Sequence, residues 1–383
     1  MDGARKCSLT PISSNTTRIF IYSTMKMALA RTVRINTKAI ENMNYQILII
    51  SPKNQRKFSL GWIKLVKDWG QSHGVVIEVL ETEKRSVATF INFIKLVRTN
   101  TVFLYFSLLH PSEYLYASCL FRKNKKIWIT FGGDIYSRKY SKILENNLIR
   151  KMNIATAVSE KEKEIILKKY GIEMFRICFP IMDDKCEPIH GLINSSLNTA
   201  NGDEKKRGFQ KLMLGNNGYP SQRHEDILNR LHLESGDISI SIPCAYGDKS
   251  YIDQLRESYS DKLNLTFEET FLSKADYVSY LSGIDIALFN NDRQQGYQTI
   301  IMLIALGKTI YISSENLVSD FLKEYGFHFF LIEEISLDLN GNLKSLDEKI
   351  LKENINTAKA LTSAEHFSAD FSGLMDRLDL NER

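Results

Sequence analysis

Apolar runs of four to seven residues alternate along the chain with longer stretches whose apolar positions recur every three or four residues. Continuous apolar runs mark strands buried on both faces of a parallel sheet, and the three-to-four spacing marks helices lying against such a sheet. In the first half the pattern predicts strands at 45–51, 74–80, 101–106, 126–131, 153–158 and 175–179. Helices are predicted between them at 58–70, 86–97, 111–121, 136–150 and 159–170. Ser159 with Glu162 has the spacing of a capping box, and Gly171 supplies a C-terminal stop. The alternation breaks over Asp183–Gly208, where Pro188, Gly191 and Gly202 join a cluster of Asn and Ser and the charge run Asp203–Arg207. That stretch reads as an interdomain linker. The pattern then restarts, with strands at 210–215, 237–242, 263–268, 284–289 and 308–312. The accompanying helices are predicted at 221–233, 248–259, 273–282, 296–306 and 316–324, and two more, near 343–361 and 363–379, close the chain.

This pattern divides the chain into an extension (1–42), an α/β domain (43–186), a linker (187–208), a second α/β domain (209–342) and C-terminal helices (343–383). A length of 383 residues suits two domains, and 43% hydrophobic with 25% charged residues is ordinary globular composition, which excludes a disordered or collagen-like chain. The extension holds seven Lys/Arg against two acids, which accounts for the whole net charge of +5. The body is therefore balanced, and no nucleic-acid partner is expected. The extension reads as disordered or non-native, with Met43 as the start of the folded part. No apolar run approaches the ~20 residues that span a bilayer. The five cysteines form no CxxC and read as reduced thiols of a cytosolic protein.

Several common chemistries are missing. The sequence has no GxxxxGK[ST], no GxGxxG after a strand, no HExxH, no GxSxG and no short DxD motif, and no Cys or His spacing suits zinc. Four strand-to-helix turns stand out instead. Gly215-Asn216-Asn217-Gly218 leads toward a helix starting near Ser221, a place where backbone N–H groups and a helix end suit an anion, or where a tight turn suffices. Asn290-Asn291-Asp292-Arg293-Gln294-Gln295-Gly296 precedes the apolar helix Tyr297–Leu306, and is either a ligand turn or a loop cap. In Ile242-Pro243-Cys244-Ala245-Tyr246-Gly247, Tyr246 is placed to border a nucleobase or to pack at the surface. In Thr130-Phe131-Gly132-Gly133-Asp134-Ile135-Tyr136, Asp134 is a general base or the N-cap of the next helix.

Taken together, these turns resemble the TDP-4-acetamido-4,6-dideoxygalactose (N-acetylfucosamine-type) transferases of lipid-linked enterobacterial common antigen synthesis, glycosyltransferase family 56. The resemblance runs from about Asn44 to the C-terminus and is densest from Leu212 to Phe321. It is carried by Gly215–Gly218 with Ser221 and His224, by Pro243 and Tyr246, by Tyr251-Ile252, and by Ala275-Asp276-Tyr277 with Leu281 and Asp285. Arg293-Gln294-Gln295-Gly296 followed by Thr299 is its most specific part, and Trp128, Gly132, Asp134, Ile135, Tyr136, Phe179-Pro180 and Met182-Asp183 match in the first half.

The resemblance implies a GT-B fold, two Rossmann-like domains facing across a cleft with C-terminal helices crossing back. It implies transfer of an amino-dideoxy sugar from a TDP donor to a polyprenyl-diphosphate-linked saccharide, at the cytoplasmic face of the bacterial inner membrane. Asp134 and Arg293 are the expected catalytic residues. Gly215, Asn216, Asn217, Gly218, Ser221, His224, Pro243, Tyr246, Gln294, Gln295, Gly296 and Thr299 are the expected donor-binding residues. Backbone N–H groups and the Arg293 guanidinium would neutralise the leaving diphosphate, so neither a metal nor another cofactor is expected. Asp285 opens a buried strand and reads as structural. Two rivals are a sugar-nucleotide epimerase of the same fold and a non-catalytic sugar-binding protein.

Peripheral membrane contact has two sequence candidates. Phe58, Trp62, Leu65 and Trp69 share one side of helix 58–70, and Arg122, Lys123, Lys125 and Lys126 form a basic cluster. The competing reading packs the aromatic stripe on the sheet and leaves the lysines in solvent.

Overall fold

In the computed structural model, described over residues 45–53, 56–82, 87–98, 100–108, 123–130, 135, 149–200, 209–231, 238–292, 295–338 and 341–380, two parallel sheets carry the chain. Tyr45–Arg383 forms one compact unit. The first sheet has six strands: β1 (Gln46–Pro52), β2 (Val76–Thr82), β3 (Thr101–Phe106), β4 (Lys126–Ile129), β5 (Ile154–Ala157) and β6 (Glu173–Arg176). Their spatial order is β2-β1-β3-β4-β5-β6, and every pairing is parallel. Strands β3, β4 and β5 are buried throughout, as continuous apolar strands between helical layers must be. The described helices of this half are α1 (Arg56–His73), α2 (Val87–Leu96) and α3 (Glu160–Tyr170). Ser159 Oγ accepts the Glu162 N–H at 3.2 Å, the Glu162 carboxylate accepts the Val158 N–H at 2.9 Å, and Gly171 closes α3 at φ 69°. The predicted cap is thus present at both ends. The predicted helix 111–121 and most of 136–150 lie outside the described residues.

The second sheet comprises β7 (Gln210–Leu214), β8 (Ile238–Pro243), β9 (Asn264–Glu268), β10 (Ile286–Phe289), β11 (Thr309–Ile312) and the two-residue β12 (Phe330–Leu331), which the sequence pattern does not predict. Its order is β12-β11-β10-β7-β8-β9, again all parallel. The chain order reverses between β7 and β10, and ligands of open α/β sheets settle in the crevice beyond the strand ends at such a point. Asp285 is structural, as expected: its carboxylate accepts the Lys211 N–H at 2.7 Å and its own N–H donates to the Lys211 carbonyl at 2.9 Å, which ties β10 to β7.

The stretch predicted as linker contains a helix, α4 (His190–Ala200). Its Asn- and Ser-rich sequence has little helix preference of its own. Tertiary contacts override this: Ile189 and Ile193 are buried in the core, and Lys359 reaches Asn194 at 3.0 Å. The remaining helices are α5 (His224–Leu231), α6 (Lys249–Tyr259), α7 (Lys274–Ser282), α8 (Tyr297–Ala305), α9 (Leu317–Glu324), α10 (Glu348–Leu361) and α11 (Ala364–Leu380).

Helix α10 packs on α8, and α11 crosses back to α1 in the first half. The crossing settles the aromatic stripe of α1. Trp62 and Trp69 meet Phe371 edge-on at 5.9 and 4.9 Å, Trp62 meets Phe367 at 5.2 Å, and Trp69 Nε1 donates to Ser372 Oγ at 2.8 Å. Trp62, Leu65 and Trp69 are buried, so this stripe is core and no lipid-facing surface; the Phe58 side chain lies outside the described residues. The basic cluster is also reduced. Lys126 is buried, with its ammonium donating to the Asn124 carbonyl at 2.7 Å, and Arg122 lies outside the described residues. The predicted C-terminal crossing and the two facing Rossmann-like halves are present.

Candidate functional site

Strand β7 runs into Gly215, whose φ of 69° is left-handed and favours glycine. Its N–H donates to the Leu288 carbonyl on β10 at 2.8 Å, which fixes the turn at the point where the strand order reverses. The next residues spend their donors internally. Asn216 N–H donates to Gln222 Oε1 at 3.1 Å, Gly218 N–H to the Tyr246 carbonyl at 2.9 Å, and Tyr219 N–H to Asn217 Oδ1 at 3.0 Å. The expectation that this turn presents a row of free N–H groups at a helix end near Ser221 is therefore corrected. Pro220–Gln222 form a single 3-10 turn, Arg223 adopts φ 51°, and α5 begins only at His224.

The second turn meets the first directly. Gln295 Oε1 accepts from Gln222 Nε2 at 2.8 Å and from Ser221 Oγ at 3.3 Å. Gly296 has φ 76°, and a Cβ there would stand 3.3 Å from Asn216 Cγ, so glycine serves both the backbone and the close approach. Gly296 is also the N-cap of α8, and it has no side chain to accept that helix's first N–H groups. By contrast, α3, α6, α7, α9 and α10 are capped by Ser159, Asp248, Ser273, Asn316 and Asp347. The positive end of α8 thus carries no side-chain cap and lies between the two turns.

The third turn completes the wall. Pro243 is buried at the end of β8, and Gly218 and Gly247 pair as a parallel bridge. Gly247 packs so closely that a Cβ would stand 2.4 Å from the Gly218 carbonyl carbon. Tyr246 is half exposed and contacts Tyr219 edge-on at 6.3 Å. Thr299, in the first turn of α8, is committed to packing: its hydroxyl pairs with Tyr277 OH at 3.0 Å.

His224 is fully buried beneath the first turn. Its Nδ1 lies 3.3 Å from Tyr251 OH, which also accepts the His224 backbone N–H at 3.2 Å. The other ring nitrogen, Nε2, faces Gly215. That nitrogen has no hydrogen-bond partner among the described residues and would lie 2.8 Å from a Cβ at Gly215. Burial holds the ring neutral, with its pKa lowered to about 4.

Gln222 and Arg223, which no sequence motif marks, also belong to this constellation, as does Asn290 of the second turn. Gln222 is wholly buried and bridges the first two turns. Arg223 pairs with Asp292 at 3.1 Å and Glu315 at 2.9 Å, and Asn290 Nδ2 donates to the Arg223 carbonyl at 3.3 Å. Of the predicted site residues, Gly215, Asn216, Asn217, Gly218, Ser221, His224, Pro243, Tyr246, Gln295, Gly296 and Thr299 gather around these strand ends. Asp134, Arg293 and Gln294 lie outside the described residues.

Known structures share this architecture. Anabaena HepE in complex with UDP and glucose superposes with a TM-score of 0.59 at 10% identity, over 87% of this chain and 99% of that one. The α,α-trehalose 6-phosphate synthase of Burkholderia multivorans gives 0.57 at 9% identity, over 89% and 100%. A glycosyltransferase from Rickettsia africae gives 0.53 at 12% identity, over 87% and 98%. At these identities the likeness shows the fold, which is GT-B. The sequence itself matches a family model described as 4-alpha-L-fucosyltransferase, glycosyl transferase group 56, over residues 75–356. With the larger part of the chain matched and the fold agreeing, the protein belongs to glycosyltransferase family 56 and is a transferase of sugars.

Proposed function

We propose that this glycosyltransferase moves a 4-acetamido-4,6-dideoxy-galactose-type sugar from TDP to a polyprenyl-diphosphate-linked saccharide in surface polysaccharide synthesis. The observation that carries the reading is the pair of turns joined through Gln295 at the strand-order reversal, beside the uncapped end of α8. A nucleotide diphosphate leaving the sugar develops negative charge on its terminal phosphate. The first N–H groups of α8 and the guanidinium of Arg293 supply donors and positive charge for it. These groups perform the task a divalent metal performs elsewhere, so transfer proceeds without one. Tyr246 and Tyr219 border the nucleobase. The UDP and glucose bound by the Anabaena relative of the same fold support a nucleotide-sugar donor here.

The acceptor lies against the first half, where Asp134 takes the proton of the attacking hydroxyl as the new glycosidic bond forms and the bond to diphosphate breaks. A polyprenyl acceptor keeps its lipid in the bilayer, so the enzyme works at the inner face of the cytoplasmic membrane. Among the described residues no helix is long and apolar enough to cross a membrane. Contact falls instead to α2, where Ile91 and Ile94 are 48% and 44% exposed and Lys95 and Arg98 continue the same stripe. Asn124 Nδ2 donates to the Arg98 carbonyl at 3.3 Å, which brings the exposed Lys123 beside it.

The test is incubation with TDP- and UDP-sugars, with and without the lipid-linked saccharide. Nucleotide release that requires acceptor supports the reading, and donor conversion without acceptor overturns it in favour of an epimerase. Asp134→Asn is expected to keep nucleotide affinity and lose transfer. A parallel loss of affinity would remove Asp134 from the acceptor side.

A further inference from the structure

The chain leaves β6 through Cys178, which is buried where the first half, the second half and the returning helix α11 meet. Cys178 N–H donates to Asp370 Oδ2 at 3.0 Å, and its thiol donates to Tyr325 OH at 3.3 Å. His366 and Asp370 stand four residues apart on one face of α11, with Nε2 and Oδ2 3.6 Å apart. The sulfur, the imidazole nitrogen and a carboxylate oxygen all lie within 4.8 Å of one another. His366 Nε2 is buried and has no hydrogen-bond partner among the described residues. No spacing along the sequence suggests this set, because Cys178 lies nearly 200 residues before His366 and Asp370.

We propose that Cys178 Sγ, His366 Nε2 and the Asp370 carboxylate are the protein ligands of a zinc-type divalent cation that pins α11 to the end of β6. Sulfur, imidazole and carboxylate are the ligand types zinc accepts, and three of them leave a fourth position for water. Bond lengths of about 2.0–2.3 Å place tetrahedral ligands roughly 3.3–3.8 Å apart. The His366–Asp370 pair already has that separation. The sulfur lies within 4.8 Å of both, so it must close by about 1 Å on binding.

The charges balance. A thiolate and a carboxylate neutralise a dication, while the nearby Arg176 is paired with Glu324 and stacks over Tyr325 at 4.9 Å. Without a cation the thiol holds its proton. Burial first, then Asp370, push the Cys178 thiol up to about 12, and burial raises Asp370 despite its neighbour His366. Binding therefore displaces the thiol proton, and any proton on Asp370, to solvent, with no change of oxidation state. The Cys178 N–H fixes the carboxylate and Tyr325 remains as a hydrogen-bond partner of the sulfur, the outer-shell contacts such sites use. This cation is structural and separate from the donor turns, so the inference stands whatever sugar nucleotide they hold.

The test uses the full, tag-free chain, stripped with chelator and titrated with Co(II) as probe. About one equivalent should bind, with a thiolate-to-cobalt charge-transfer band in the near ultraviolet and tetrahedral bands in the visible, all erased by Zn(II). Cys178→Ser should abolish the charge-transfer band. His366→Gln, a partly exposed position that keeps the fold, should weaken Co(II) binding at least tenfold, and Cys244→Ser should leave it unchanged. No charge-transfer band in the wild-type chain, a band that survives Cys178→Ser, or undiminished binding in His366→Gln overturns the proposal.

Discussion

Gly296 and Tyr297 are neighbours in the chain, yet they belong to two polar regions built in opposite ways. Gly296 sits among the donor turns. There the polar groups come from loops that each follow a strand of one sheet, and they satisfy one another through Gln222 and Gln295. Tyr297 points into the seam under α11. Burial first of all, then the charges of Cys178, Tyr325 and Asp370, raise the pKa of its phenol. The seam collects its polar groups from just past β6, just past α9 and from α11, and aromatics line it: Trp62 touches Phe106, Phe179, Phe367 and Phe371. One region is a framework around an open helix end, and the other is a core that carries a few buried polar groups. Ligand affinity should therefore depend on the first, and stability on the second.

The largest effect should come from the seam. Trp62→Ala removes the aromatic that joins α1 to α11 and should cost about 3–5 kcal/mol in urea unfolding. Nucleotide affinity of the folded fraction should be unchanged. A lost affinity would show that the two regions are not separable.

His224 lies on the donor side but carries a stability signature. Its folded pKa of about 4 is below the ordinary 6.5, so between those values the unfolded chain binds the extra proton. Stability should therefore fall as pH drops from about 6.5 to about 4, by on the order of 3 kcal/mol at most. Urea melts across this window should show the slope in the wild-type chain and a smaller one in His224→Gln. Equal slopes would mean that the ring is not held neutral.

Arg293→Ala should lower turnover about 100-fold, near 2.7 kcal/mol of transition-state stabilisation, without moving the melting temperature. Near-normal turnover in a folded variant would take Arg293 out of the site. Gly215→Ala should be milder in stability, about 1–2 kcal/mol for a left-handed alanine. Its Cβ would also crowd His224 Nε2 and Gln222 Oε1, so TDP affinity should fall as well. A calorimetric titration that finds affinity intact would break the link between that turn and the nucleotide.

The same contrast governs what could be read from the sequence. Parallel strands buried on both faces are apolar throughout, so runs such as Ile286–Phe289 are visible without any structure. The donor turns are visible because each follows such a run and carries glycines at positions that prove to need positive φ, Gly215 and Gly296 among them. The seam has no such local mark. The α1 stripe admits both a core and a lipid-facing reading until α11 is seen to cover it. Helix α4 is hidden because Asn and Ser dominate its exposed positions, while Ile193 and its neighbours do the packing. His224 falls within the helix predicted from Ser221, but its burial and its unpartnered Nε2 are products of tertiary packing.

The central claim is that the two turns beside the α8 terminus hold the donor's diphosphate. Amide hydrogen exchange followed by mass spectrometry, with and without TDP, tests it most directly. Protection should concentrate in peptides covering 215–224 and 290–299, with little change in the first sheet. Protection centred on the first half, or no protection at saturating TDP, would contradict it.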